Sequence, residues 1–236
     1  MCTVSFINSK GKIIITSNRD EQVIRPNAIE PKSYLVNNKT IFFPKDTKAG
    51  GTWYAIDEDG TVLVLLNGAV EKHTVLPLYR KSRGLIVLDI ISNLSPFIFW
   101  HNIDLDSIEP FTLVLFENKK LYLLRWDGFS KETSSLDSSQ NYIWSSATLY
   151  SKEIREARDN LFYNYVDIKS VITEQEILNF HLNSESNDNE NGFVINRFDT
   201  LKTLSVTQTV IQNNKAAILH CDLLSQKDFV TSFRIV

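Results

Sequence analysis

The chain has 236 residues, 43% of them hydrophobic and 22% charged, and its 25 Lys and Arg against 28 Asp and Glu leave a net charge of −3. A chain of this length can bury roughly 70–75% of its unfolded surface and needs no covalent staple. No basic block exceeds two residues, so the clustered positive charge that phosphate-backbone binding requires is missing and nucleic acid is not an expected partner.

From the N-terminus, Thr3 to Ile7 and Lys12 to Ser17 flank Asn8-Ser9-Lys10-Gly11, which predicts a β-hairpin. Lys10 and Lys12 interrupt the first apolar stretch and no small-residue cleavage site follows, so the start lacks a secretory signal pattern and cytoplasm is the expected location. A second hairpin is predicted from Trp53 to Ile56 and Thr61 to Leu66 around Asp57-Glu58-Asp59-Gly60. Leu85, Leu88, Ile91 and Leu94 then repeat at helical spacing within Arg83 to Leu94. Phe111 to Phe116 and Leu121 to Trp126 form a third hairpin pattern around Glu117-Asn118-Lys119-Lys120. The polar stretches Gly128 to Asn141 and Asn183 to Gly192 read as surface loops. Ser151 caps a predicted helix whose stripe is Ile154, Ala157, Leu161 and Tyr165, and Thr173 with Glu176 has capping-box spacing for another. Ser205 to Gln212 and Ala216 to Leu219, around Asn213-Asn214-Lys215, close the series as a fourth hairpin.

The longest apolar runs, such as Val62 to Leu66 and Leu113 to Phe116, fall far short of the roughly 18 residues that span a bilayer. No repeat of about 20–50 residues appears. Hairpins with helices between them predict an α+β fold. Strands apolar at consecutive positions need burial on both faces, which two stacked antiparallel sheets with outer helices supply in a four-layer αββα sandwich. Strand-like sequence continues across the polar stretches, so residues 1–236 are expected to form a single domain.

Two cysteines, Cys2 and Cys221, exclude a disulfide framework and lack zinc-site spacing, which suits a reducing compartment. Cys221 reads as a small hydrophobe. With Met1 removed, Cys2 would present a thiol and a free α-amine on one residue, and an amine titrating near pH 7.7–8.0 can accept the thiol proton. The alternative is a small residue leading into an edge strand. Asn18, Arg19 and Asp20 follow an apolar strand that returns beside residue 2 or 3, where they can orient the amine or bind a substrate carbonyl, or simply form a polar turn. In Gly50-Gly51-Thr52-Trp53 the glycines permit positive φ or close backbone approach, and Trp53 offers either a substrate surface or a core residue. Asn67-Gly68 ends a strand as a turn or as an oxyanion donor. His73, His101, His181 and His220 have no ligand spacing, so no metal and no other cofactor is expected.

Met1-Cys2-Thr3-Val4, Thr16-Ser17-Asn18-Arg19-Asp20-Glu21, Arg25-Pro26, Gly50-Gly51-Thr52-Trp53 and Leu66-Asn67-Gly68 together resemble the NRDE protein family, the family of the transport and Golgi organisation proteins. A looser likeness continues through Ser145-Ser146-Ala147-Thr148-Leu149-Tyr150 and Ser205-Val206-Thr207-Gln208-Thr209. That family is similar to the N-terminal nucleophile (Ntn) hydrolases. The resemblance implies the αββα fold, and it implies a cysteine amidohydrolase of a non-peptide C–N bond in a small acylated molecule. In it Cys2 is the nucleophile, Asp20 orients its amine, Asn67 helps hold the oxyanion, and Asn18, Arg19, Trp53 and Arg197 bind substrate. Two departures stand out. Ser17 occupies the place of the arginine before the Asn in the cysteine branch, with Arg19 following Asn18 instead, and a later substrate-side asparagine falls near Ser145 or Ser146. The same resemblance carries an alternative, a non-catalytic carrier of haem or lipid-like metabolites linked in relatives to secretory organisation. A small molecule is the expected partner under either.

Overall fold

The computed structural model describes residues 3–236. In chain order the elements are β1 (Thr3–Ser9), β2 (Lys12–Gln22), β3 (Ile29–Val36), β4 (Lys39–Lys45), β5 (Tyr54–Asp57), β6 (Val62–Asn67), α1 (Arg83–Ile91), α2 (Pro96–Asn102), β7 (Phe111–Glu117), β8 (Lys120–Trp126), β9 (Lys131–Leu136), β10 (Tyr142–Ser145), α3 (Lys152–Val166), α4 (Glu174–Asn183), β11 (Asn196–Arg197), β12 (Leu201–Gln212), β13 (Lys215–Asp222) and β14 (Lys227–Arg234). They group into two compact units, one built from the chain up to Arg25 with Ser139–Phe233, the other from Pro26–Ser138 with Arg234–Val236. Each unit holds one seven-stranded sheet, and every pairing between neighbouring strands that the register defines is antiparallel. The α+β class follows directly. Among the described residues no helix is long and apolar enough to cross a membrane.

All four predicted hairpins form, and three of their turns are tighter than the sequence suggested, the exception being the turn between β5 and β6. Lys10 and Gly11 alone make the first turn, at φ 53° and 81°, the left-handed pair that a two-residue hairpin requires. Asn37-Asn38 makes the same turn between β3 and β4, a hairpin absent from the sequence reading. The stretch Gly128 to Asn141, expected as loop, contributes β9, whose residues 131–136 pair with β8. β9 is an edge strand, so backbone bonding fixes it while its side chains stay polar.

The first sheet runs β10-β1-β2-β12-β13-β14, with β11 beside β12. Helices α3 and α4 pack on one face of it. Ile7 and Ile14 there meet Phe162, Val166, Ile177 and Phe180. The helix at Ser151 is present and capped, but its buried residues are Arg158, Phe162 and Val166, one step round from the expected stripe, and Ala157 is exposed. The predicted capping box of α4 is complete.

The second sheet runs β3 to β9 in sequence order and carries α1 and α2. α1 buries Ile86, Val87, Ile90 and Ile91, whereas Leu94, placed in the predicted stripe, lies beyond the helix and is fully exposed. The two glycines before Trp53 divide the reasons for glycine between them. Gly50 adopts φ 74°. Gly51 lets α1 approach, because a Cβ built there would lie 2.3 Å from the Gly84 carbonyl carbon. Gly51→Ala is therefore expected to cost about 2 kcal/mol or more, since backbone meets backbone and no rotamer change relieves it. A urea-unfolding midpoint equal to wild type would contradict this.

Candidate active site

Thr16 to Glu21 continue β2 instead of closing the hairpin as a polar turn, and Ser17, Asn18, Arg19 and Asp20 are all buried. The register sets Thr3 opposite Asn18 on one side and opposite Ser145 of β10 on the other. Cys2, the expected nucleophile, lies outside the described residues. Side chains alternate along a strand. Asn18 and Asp20 therefore project with Thr3 to the face that α3 and α4 cover, and Ser17 and Arg19 project together to the other. The arginine displaced from position 17 to 19 thus returns to the face it would have had. On β12 the pairing slips beside these residues, from Thr203 opposite Asp20 to Ser205 opposite Arg19, a bulge of the sort that re-aims side chains at sites.

Asp20 is held by two hydroxyls, with Thr203 Oγ1 donating to Oδ1 at 2.5 Å and Tyr150 Oη donating to Oδ2 at 2.9 Å. Tyr150 is buried at the end of the Ser145 to Tyr150 segment. Its backbone N–H donates to the Ser146 carbonyl at 3.2 Å. Arg158 of α3, 3% exposed, lays its guanidinium 3.7 Å from the Tyr150 ring centre and donates to Thr3 Oγ1 at 2.5 Å. Its Nε and Nη2 donate to the carbonyls of Asn191 and Gly192. The loop Asn183 to Gly192 thereby acts as an acceptor for a buried cation. A cleft of about 510 Å³ opens along this part of α3, lined by Ile154, Leu161, Asn164 and Asp188 among others, with Arg158 in its wall. Arg197 on β11 also approaches the Tyr150 ring, at 5.2 Å, while donating to the carbonyls of Leu149 and Glu190.

Asn18 has a structural position. Its amide donates to the carbonyls of His181 at 3.0 Å and Phe193 at 2.8 Å, and its Oδ1 meets His181 Nδ1. Because Oδ1 can only accept, the proton sits on Nδ1, and Nε2 accepts from the Ser5 hydroxyl at 2.7 Å. Burial, with the Arg158 charge second, pushes His181 down to about 3 and keeps it neutral. His181 is thus a satisfied core residue, and with both amide hydrogens committed Asn18 has none to offer a substrate.

In the second unit Trp53 is 3% exposed within the core, and Asn67 ends β6 opposite Phe111. Gly68 follows Asn67 at φ 81° and its carbonyl accepts from Thr112 Oγ1. Arg158, Tyr150 and Thr203, which surround Asp20 and Thr3, had no role in the sequence reading. The available signal was Arg158 itself, four residues before Phe162 on the inner side of an amphipathic helix.

Solved structures share the fold. A Caenorhabditis elegans ortholog of N-acylethanolamine-hydrolyzing acid amidase matches at TM-score 0.62 and 10% identity, covering 88% of this chain and 92% of that one. A mutant conjugated bile acid hydrolase from Clostridium perfringens matches at TM-score 0.50 and 10% identity, covering 99% and 97%. The fold is accordingly that of the Ntn-hydrolase class. Among curated proteins no sequence matches. The family model described as Transport and Golgi organisation 2 matches residues 1–228, and the chain belongs to that family.

Proposed function

We propose that the chain is a cysteine Ntn-type amidohydrolase acting on a C–N amide bond of a small acylated molecule. The observation that carries this reading is the register: residue 3 pairs with Asn18, two positions from a buried carboxylate, Asp20, held by two hydroxyl donors. With Met1 removed, the Cys2 α-amine takes the thiol proton and the sulfur bonds to the amide carbon. The C–N bond then breaks as the leaving nitrogen takes that proton, and water releases the acid from the thioester. Asp20 orients the amine. Asn67 donates to the oxyanion, and Arg19, Trp53 and Arg197 are the proposed substrate contacts. Residues 1–228, both units included, match one family, and neither unit is a contiguous piece of chain, which supports a single domain. Cytoplasmic residence is part of the proposal.

Intact mass of the native protein is expected to show Met1 absent. Cys2→Ala is expected to lower hydrolysis of at least one member of an acyl-amide panel by roughly 10³-fold or more. Unchanged hydrolysis would sink the catalytic reading. Binding of haem or a lipid-like metabolite by wild type and Cys2→Ala alike, with no amide turned over, would establish the carrier alternative.

A further inference from the structure

Tyr150 and Arg158 lie outside every motif that the proposed chemistry uses, yet both are 3% exposed and both grip residues next to it. A carboxylate turns readily about its last bond, and a single donor does not fix its plane. Asp20 has one hydroxyl on each oxygen, arriving from different elements: Thr203 on β12 and Tyr150 after β10. These two donors are neutral hydroxyls, so neither of them cancels the carboxylate's charge as an arginine would. Arg158 then joins this carboxylate to the first strand. Its planar face covers the Tyr150 ring, its Nη1 donates to Thr3 Oγ1, and the Asn191 and Gly192 carbonyls hold its other edge.

We infer that Tyr150 and Arg158 are positioning residues of the N-terminal nucleophile: Arg158 clamps Thr3 and Tyr150 together, and Tyr150 holds the Asp20 carboxylate in the orientation its amine partner needs. The inference rests on the reading of Cys2 as nucleophile and Asp20 as the residue orienting its amine. Loss of the Tyr150 hydroxyl takes one donor from Asp20, and the carboxylate no longer holds the ammonium in place beside the sulfur. The thiolate then loses part of the cation that stabilises it, and the thiol holds its proton to higher pH.

The test is the rate of Cys2 alkylation by iodoacetamide, followed by mass spectrometry from pH 5 to 9, in the wild type, Tyr150→Phe and Arg158→Lys. Cys221 does not interfere, because burial, with Asp228 second, pushes its thiol up to about 12. Wild type is expected to react with a midpoint below the ordinary thiol range near pH 8.5. Both variants are expected to move that midpoint up by about half a unit or more and to slow alkylation at pH 7 roughly threefold or more, the effect of losing about one neutral hydrogen bond. A merely structural role would change the melting temperature and leave the midpoint in place. An activated wild type with superimposable variant profiles overturns this inference and leaves the proposed function standing. An ordinary thiol profile in the wild type overturns both. Tyr150→Phe keeps the ring that Arg158 covers, so it decides the matter if Arg158→Lys fails to fold.

Discussion

Arg158→Met is expected to destabilise the folded chain by about 2–4 kcal/mol, because the buried neutral acceptors that the guanidinium serves are left unmet. A guanidinium that is 3% exposed and has no carboxylate among its hydrogen-bond partners, with Asp188 acting on it only through its charge, is costly to bury, which works against the arginine. Swapping a buried charge for an apolar side chain is often neutral when both partners go together. Here the partners are the Thr3 hydroxyl and the carbonyls of Asn191 and Gly192, and a methionine leaves them all behind. Each unmet buried acceptor costs roughly 1–3 kcal/mol, and the cation–π contact with Tyr150 is lost as well. The thioether chain fills much of the stem volume, so the cavity contribution is small. Urea unfolding at pH 7 measures the difference; a variant as stable as wild type would mean that water satisfies those groups as well as arginine does.

The same residue explains why part of the site was hidden in the sequence. Apolar periodicity located the α3 helix but set its buried stripe on Ile154, Ala157, Leu161 and Tyr165, because a charged residue counts as outward in such a pattern. The inward face runs through Arg158, Phe162 and Val166. Asn18 and Asp20 were legible as chemistry-bearing residues, yet a run of four polar residues after an apolar strand argued for a turn. Their burial inside β2 depends on partners more than a hundred residues away, His181, Tyr150 and Thr203, which no local pattern records. Hairpins fared best where turn chemistry was explicit, as at Lys10-Gly11. Edge strands such as β9 fared worst, because backbone pairing alone defines them. The displaced arginine also changes meaning once β2 is a strand: a shift of two positions keeps the face, where a shift within a turn would not.

Acid should weaken the fold through His181 before most carboxylates titrate. Its folded value, down to about 3, lies below the ordinary 6.5, so the unfolded chain takes up a proton below pH 6.5 that the folded chain refuses until about pH 3. The stabilisation is therefore complete above pH 6.5 and is lost as pH falls through that window. From pH 6.5 to 5 this amounts to about 2 kcal/mol. Arg158 charges the surroundings of the ring; Ser5, Asn18, Phe180 and Phe193 supply its uncharged contacts. Asp159, one residue along α3, works in the opposite direction. Burial pushes its carboxyl up to about 6, so the folded state binds that proton first and gains stability as pH falls. Because Asp159 is only half-buried, solvent screening makes its effect the smaller one. Urea unfolding of Asp159→Asn at pH 7, 6 and 5 isolates the histidine contribution. Adding His181→Gln to that background should lower stability at pH 7 and flatten the dependence between pH 6.5 and 5. A slope equally steep without the imidazole would assign the acid sensitivity to other groups.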